Sequence, residues 1–469
     1  MEHLGMQVLK RMKHIFFSGI GGVGMSAMAR ILVENGFNVS GSDKELSSIT
    51  EQLRNLGVMI YEGQRAENLN NADMLVYSSA IPENNPERME ANRRQIPVVR
   101  RAELLAEMMR LKYCLAIAGT HGKTTTSAMC ATIFMQAGLD PTFLVGGRLI
   151  DLKTNAHAGQ GDFFITEADE YDRSFLTLTP TFAIITNIEA DHLDCYADLD
   201  DIKSTFITFT EKIPFCGAVI CCLDDPGVRD IMPILKSRIL TYGLSNEAHY
   251  QARMITMGKG FTTFEVFHQD QLLGSIKLIV PGEHNVRNAL AAIALAHKNE
   301  ITFTDIQSAL EKFHGVERRF EVKGLMQGTM VVDDYAHHPT EVGATLSTAR
   351  KIWPTRVIAA FQPHLFSRTR DFFVQIAAQL RQADLIFITE IYPAREKPIP
   401  NISSELIIRE LRNQGHPAVY YNTDRKSLAA EIFKYLHRGD MILFMGAGDI
   451  WKSAQELVEL LQQKKCKIL

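Results

Sequence analysis

A surplus of charge of either sign is the first thing this sequence lacks. Its 50 Lys and Arg are offset by 54 Asp and Glu, for a formal charge of -4. No global basic field therefore draws in nucleic acid or an anionic membrane, and any polyanion must be met locally. Long apolar runs are missing too: none approaches the roughly 18 residues that cross a bilayer. The start from Met1 to Arg11 has no apolar segment of the signal-peptide kind. The seven cysteines, Cys114, Cys130, Cys195, Cys216, Cys221, Cys222 and Cys466, are odd in number, lack CxxC spacing and mostly sit in apolar runs. A disulfide framework is disfavoured, and a reducing compartment fits. These absences predict a cytoplasmic protein with no nucleic-acid or membrane partner, either monomer or homodimer. Internal repeats of 20 to 50 residues and low-complexity tracts are likewise absent.

What remains is an ordinary globular composition, 46% hydrophobic and 22% charged, over 469 residues. That length predicts two or three separately cored domains. Short runs rich in Val, Ile and Phe alternate with helical periods, the pattern of βαβ units with parallel strands. The first group has candidate strands at His14 to Ile20, Asn38 to Asp43 and Asp73 to Ala80, and closes with a charged helical stretch from Arg101 to Arg110. A second group opens at Tyr113 to Gly119 and continues through Phe163 to Ala168, Phe182 to Ile188 and Ala218 to Leu223. Between Gln251 and Val280 short alternating strands predict antiparallel hairpins. A third alternation follows the charged run Glu317 to Glu321. The expected fold is α/β in three domains: 1–110 Rossmann-like, 111–320 of P-loop ATPase type with a small antiparallel β appendage, and 321–469 again Rossmann-like.

Two strand-turn-helix junctions have the makings of phosphate sites. In the first, GIGGVGMSA runs from Gly19 to Ala27 with glycines at 19, 21, 22 and 24, and Asp43 closes the next strand about twenty residues on. Such a turn lets backbone N–H groups and a helix N-terminus approach a diphosphate, while the acid suits a ribose hydroxyl. In the second, AIAGTHGKTTTSAM runs from Ala116 to Met129. It departs from the strict GxxxxGK[ST] template because Ile117 stands at the first glycine position. Gly119 and Gly122 still free the backbone to wrap a triphosphate, Lys123 offsets phosphate charge and Thr124 can reach Mg²⁺. A capped glycine turn with an exposed lysine would explain the glycines but not the GKTTT run. A third junction, FMGAGDIW from Phe444 to Trp451, reads equally well as tight packing.

Mg²⁺ takes one or two protein carboxylates, so acids are wanted at nearby strand ends. TEADEYDRSF offers Glu167, Asp169, Glu170 and Asp172, and NIEADHLD offers Glu189, Asp191, His192 and Asp194. Most of these are expected to be solvated surface groups or helix caps, with Glu167 and His192 as the functional candidates. In the last third, VVDDYAHHPTE and FQPHLFSRTRD each follow an apolar strand. A zinc reading of His337, His338 and His364 fails for want of Cys partners or an HExxH helix. A buried structural histidine is the plain alternative for each, but together they form a polar rim suited to a small zwitterion, with a guanidinium on its carboxylate.

Taken in order, GIGGVGMSA, SSAI from Ser78, AGTHGKTTT, EADE, NIEADHLD, PGEHNVRNALAA from Pro281, GVERRFE from Gly315, DDYAHHPTE and FQPHLFSRTRD resemble the Mur ligases across essentially the whole chain. These are ATP-dependent amide-bond-forming enzymes of peptidoglycan precursor synthesis. The likeness is strongest to members that join L-alanine to UDP-N-acetylmuramate. It implies a UDP-sugar site at Gly19, Gly21, Gly22, Gly24, Met25, Ser26, Asp43, Ser78, Ser79, Ala80 and Ile81. It implies ATP on Gly119, Thr120, His121, Gly122, Lys123, Thr124 and Thr125, completed by Asn288, Arg319 and Asp334. Thr124, Glu167 and His192 match the family's Mg²⁺ positions, and His337 and Arg368 match positions implicated in alanine binding. Lys123, Glu167 and His192 are the implied catalytic set. Where some members carry Arg after the PH of FQPH, this chain has Leu365, which leaves a carboxylate contact there to Arg368 or elsewhere. A murein peptide ligase acting on the same sugar is the near alternative, though GVGMS at Gly22 to Ser26 favours alanine. An NAD-dependent dehydrogenase would suit the Gly19 turn and Asp43 but leaves Lys123 unexplained.

Overall fold

The computed structural model describes residues 12–463 apart from Leu111, 192–194, Lys259, Gln327 and Arg395. His192, Asp194 and Cys466 therefore lie outside the described residues. Three sheets carry the chain. The first runs Met59–Glu62, Asn38–Asp43, His14–Ser18, Met74–Tyr77, Val98–Arg100, all parallel. Its central strand is buried from Ile15 to Ser18, as expected of a parallel strand covered by helices on both faces.

The second sheet has ten strands. Tyr113–Ala118 lies in its middle, between Phe163–Glu167 and Phe182–Ile185 and parallel to both. At one edge Thr142–Leu149 and Thr154–His157 make an antiparallel pair. At the other edge Tyr250–Gly258, Phe261–His268 and Gln271–Leu278 extend the sheet as expected hairpins. The turn between the last two holds Gln269 at φ +49° and Asp270 at φ +65°. Two left-handed residues in a row are what a tight two-residue hairpin requires. The third sheet runs Glu321–Met326, Thr329–Asp334, Met441–Met445, Val357–Phe361, Leu385–Thr389, Val419–Asn422, with only its first pair antiparallel.

Several expected strands stop early. The first ends at Ser18 rather than Ile20, and Phe182–Ile185 stops three residues short of Ile188. Ile20 and Ile188 are apolar because the turns that hold them pack into the core, where both are almost fully buried. The short strands Met59–Glu62 and Val98–Arg100 escaped the sequence reading because edge strands of three or four residues carry little periodic signal.

By compactness the chain forms two units. One comprises the chain to Arg253 with Glu265–Ile276 and Arg287–Lys312, and the other comprises Met254–Phe264, Lys277–Val286 and Phe313 onward. The first unit has a core running from Ile15 to Ile231. Asn155 Nδ2 donates to Val23 O at 3.4 Å, and Ala158 N to Glu34 Oε2 at 3.2 Å, fastening the helix Val23–Glu34 to the Thr154–His157 hairpin. No described helix is long and apolar enough to cross a membrane.

The first unit also holds a histidine cluster. The Tyr250 ring stacks on His268 at 4.5 Å and its hydroxyl meets His297 Nδ1 at 2.9 Å, with the two imidazoles 5.3 Å apart. Burial lowers the pKa of His297; burial, with His297 and His249 nearby, lowers that of His268. The fold thus prefers both rings neutral. Their contribution is whole above the ordinary histidine pKa of 6.5 and is lost as pH falls below it toward the depressed folded values. Melting followed between pH 7.5 and 5.5 is expected to show a fall in Tm about 2 °C smaller in His268→Gln than in the parent. An equal fall in both would show that this cluster does not carry the acid sensitivity.

Candidate active site

In a parallel sheet, ligands bind beyond the carboxyl ends of the strands, where the strand order reverses. In the first sheet that point lies between His14–Ser18 and Met74–Tyr77, and the turns leaving these strands hold Gly19 to Gly24 and Ser78 to Ile81. The two segments meet: a Cβ on Gly19 would lie 3.2 Å from Ser78 Oγ. Gly19 N and Ile20 N donate to Ser42 O at 2.8 and 2.9 Å. Asp43 has a part in the turn itself, since its Oδ2 accepts Gly21 N–H at 2.8 Å. Beneath it Glu87, fully buried, accepts from Ser18 Oγ at 2.6 Å, Ser42 Oγ at 2.8 Å and Asn68 Nδ2 at 2.9 Å, tying the ends of two strands together.

The helix Val23–Glu34 opens at Gly22, so the N–H groups of Val23, Gly24 and Met25 have no partner within the helix. The Met25 side chain is buried, and Ser26 spends its polar atoms locally, N on Gly22 O and Oγ on Val23 O. Ser26 thus bonds within the first turn of the helix. Ser79 and Ala80 are exposed while Ile81 is buried. Sequence reading missed Arg101, whose guanidinium lies 3.0 Å from where a Cβ on Gly24 would stand, a cation beside the helix mouth.

The second junction is built more tightly. Gly119 has φ +130°, and a Cβ there would stand 2.0 Å from Thr186 Oγ1. Only glycine fits. The loop is held from the neighbouring strand end: Thr120 N donates to Asn187 O at 3.1 Å, His121 N to Asn187 Oδ1 at 2.8 Å and Thr186 Oγ1 to His121 O at 2.6 Å. Gly122 caps the helix Lys123–Gln136 in the left-handed region, with Asn288 Oδ1 2.7 Å from its would-be Cβ. Lys123 Nζ folds back onto Gly119 O at 2.6 Å and Thr120 O at 3.2 Å, and meets both Glu170 oxygens at 3.0 and 2.7 Å. Burial opposes its charge, but Glu170, Asp169 and Glu167 outweigh burial and hold its pKa above the usual lysine value.

Glu167 ends its strand beside this helix. Thr124 Oγ1 donates to it at 3.2 Å, Ser127 Oγ at 3.3 Å and Gly146 N at 2.5 Å. A hydroxyl and a carboxylate side by side form a hard-oxygen donor pair of the kind Mg²⁺ takes, so Thr124 and Glu167 fit that ion. Thr125 is buried in the helix. Two of the acids here are buried rather than solvated: Glu170 and Asp191 are 3% and 7% exposed.

In the second unit Arg319, His337 and Arg368 join one polar cluster. Glu341 links the first two, 3.5 Å from Arg319 NH1 and 3.3 Å from His337 Nδ1. The rings of His337 and His364 lie 5.6 Å apart, His364 stacks on Tyr392 at 5.9 Å, and Arg368 NH1 approaches His364 Nδ1 at 3.3 Å. Arg318 and Arg319 both stand over the Tyr335 ring. Asp334 proves to be a backbone clamp: Oδ2 accepts Phe320 N at 2.8 Å and Oδ1 accepts Ala336 N at 2.7 Å. Burial, partly countered by Arg319, pushes its pKa up to about 6. The turn of Phe444 to Trp451 shows the packing reading, with a Cβ on Gly448 only 2.4 Å from Gln362 Oε1.

Three family models match the chain: the Mur ligase family catalytic domain over residues 14–113, the Mur ligase middle domain over 117–296, and the Mur ligase glutamate ligase domain over 318–448. A UDP-N-acetylmuramate–L-alanine ligase of Geotalea uraniireducens is 48% identical, covering 96% of this chain and 99% of that one. A ligase of the same name from Geobacter sulfurreducens is 46% identical, covering 97% and 99%. Among solved structures, the UDP-N-acetylmuramate–alanine ligase of Thermotoga maritima superposes with a TM-score of 0.83 at 30% identity, covering 96% of this chain and all of that one. A murein peptide ligase of Psychrobacter arcticus gives 0.72 at 26%, covering 97% and all of that chain. With a glycine turn at the switch point of one sheet, a lysine-bearing loop at that of the next and family models over most of its length, the chain belongs to the Mur ligase family.

Proposed function

We propose that this Mur ligase joins L-alanine to the lactyl carboxylate of UDP-N-acetylmuramate at the expense of ATP, in peptidoglycan precursor synthesis. The observation that carries this is the Gly119 to Thr125 loop, where a half-buried, charged Lys123 stands at a helix N-terminus beside Glu167. It is supported by relatives of that name at 46–48% identity over nearly the whole chain. We place the domain limits near residues 110 and 320, with the UDP-sugar, ATP and amino acid assigned to the three parts in that order.

A carboxylate oxygen is a poor leaving group, so an amine does not displace it at neutral pH. Attack of the carboxylate on the γ-phosphorus forms a P–O bond as the bond to ADP breaks, giving an acyl phosphate. The neutral alanine amine then adds to the acyl carbon, phosphate departs, and the amine proton is lost. Two anions first have to come within about 3.5 Å. Lys123 and the backbone N–H groups of the loop offset that repulsion. The N–H groups at the start of Val23–Glu34, with Arg101, take the diphosphate of the sugar nucleotide. Thr124 and Glu167, with His192, hold Mg²⁺, which when bound supplies charge neutralisation of the phosphates. His337 and Arg368 receive alanine, the guanidinium on its carboxylate.

ADP release measured with UDP-N-acetylmuramate and a panel of amino acids tests the reading. Release is expected only with sugar nucleotide and L-alanine together. Release with a peptide but not with alanine would favour the peptide-ligase alternative, and ADP formed regardless of the acid would sink both.

A further inference from the structure

We propose that Glu170 is a positioning residue that holds Lys123 and has to yield it to the triphosphate, so that Glu170 sets the affinity for nucleotide. The inference rests on the reading of Lys123 as a phosphate-binding group. An ammonium has three hydrogens. The four oxygens within reach of Lys123 Nζ, two of them the carboxylate of Glu170 at 3.0 and 2.7 Å, already exceed what it can serve. Both side chains are shielded, 14% and 4% exposed for Lys123 and Glu170, so water does not weaken the pair. A γ-phosphate and this carboxylate are therefore rival anions for one cation.

The chain that presents Glu170 is held in place. Its carbonyl accepts Tyr196 Oη–H at 2.6 Å. Immediately beyond, Asp172 and Arg173 sit at φ +50° and +60°, a left-handed pair that residues with side chains rarely adopt. Strain of this kind persists only where surrounding contacts enforce it, and it gathers at ligand clamps and switch segments. Here the contacts come from Arg173, which donates to Asp201 Oδ2 at 2.6 Å and Thr205 Oγ1 at 3.0 Å and lies over the Tyr196 ring at 4.8 Å. The carboxylate is thus delivered to Lys123 by an anchored, strained turn. When the triphosphate arrives, Lys123 exchanges Glu170 for phosphate oxygens, and the carboxylate left behind opposes the new anion.

Equilibrium binding of a non-hydrolysable ATP analogue with Mg²⁺ to the full-length protein tests this. Glu170→Gln keeps the shape and removes the charge; its Kd is expected to fall about tenfold. A residue that only supported the fold would loosen binding or leave it unmoved. Tyr196→Phe frees the same turn without touching the carboxylate and is expected to tighten binding by about two- to threefold. It also stands in if Glu170→Gln does not fold. Unchanged or weaker binding in the folded variants overturns the proposal. If the parent itself fails to bind the analogue, the nucleotide reading falls as well; parent binding with unmoved variants sinks only the role of Glu170.

Discussion

Lys123→Ala is expected to lower ligase turnover by at least about 10²-fold, the usual loss when one preorganised transition-state donor is removed. The ammonium is fixed at the Gly119 to Gly122 loop, held by Gly119 O and Thr120 O. Alanine removes the charge that lets a carboxylate approach a phosphate. It also takes from Glu170, 3% exposed, the ammonium that meets both its carboxylate oxygens. Nucleotide affinity should therefore suffer along with kcat, and the variant should melt earlier, because a shielded ion pair is broken from one side. Steady-state ADP release, analogue binding and a melting curve separate these effects. A near-normal rate in a folded variant would remove Lys123 from the mechanism.

Gly119→Ala should be at least as damaging, by a steric route. The new methyl would enter a backbone conformation at φ +130° that residues other than glycine avoid, 2.0 Å from Thr186 Oγ1 and 3.0 Å from Asn187 N. Thr186 and Asn187 are the residues that hold Thr120 and His121. The loop cannot move aside without losing its own supports. We expect a loss of about 2–4 kcal/mol in stability, within the range for overpacking combined with backbone strain, and nucleotide binding weakened by about 10²-fold or more. A Tm within about 1 °C of the parent, with normal affinity, would mean that the loop has slack that the structure does not show.

The parts of the site that are local in sequence were legible as sequence. A lysine after a left-handed glycine at a helix start is visible within a few residues, and so is a strand feeding a glycine turn. Glu170 was not singled out, because its partner lies 47 positions earlier and only the fold joins them. Glu341 was missed for a related reason. At the third helical position of Pro339–Ile352 it reads as a capping residue, and it does accept from His337 and His338 N–H, but its approach to Arg319 is tertiary. Asp43 and Asp334 were chosen as ligand contacts and turn out to bond backbone, since a motif marks a position without telling which neighbour its carboxylate will meet. Ser26 likewise donates its hydroxyl to the preceding turn, as helix-start hydroxyls readily do. For His192 the described residues give no position.

The reversals in strand order carry a wider implication. Gly19 to Gly24, Gly119 to Gly122 and the segments beyond Asp334 and Phe361 all leave strands that pair in parallel and are largely buried. Much of the recognition thereby falls to a few brief connectors and the strand and helix ends beside them. Such a design can acquire a different acceptor or a different incoming amine by rewriting one connector at a time, with the others left working.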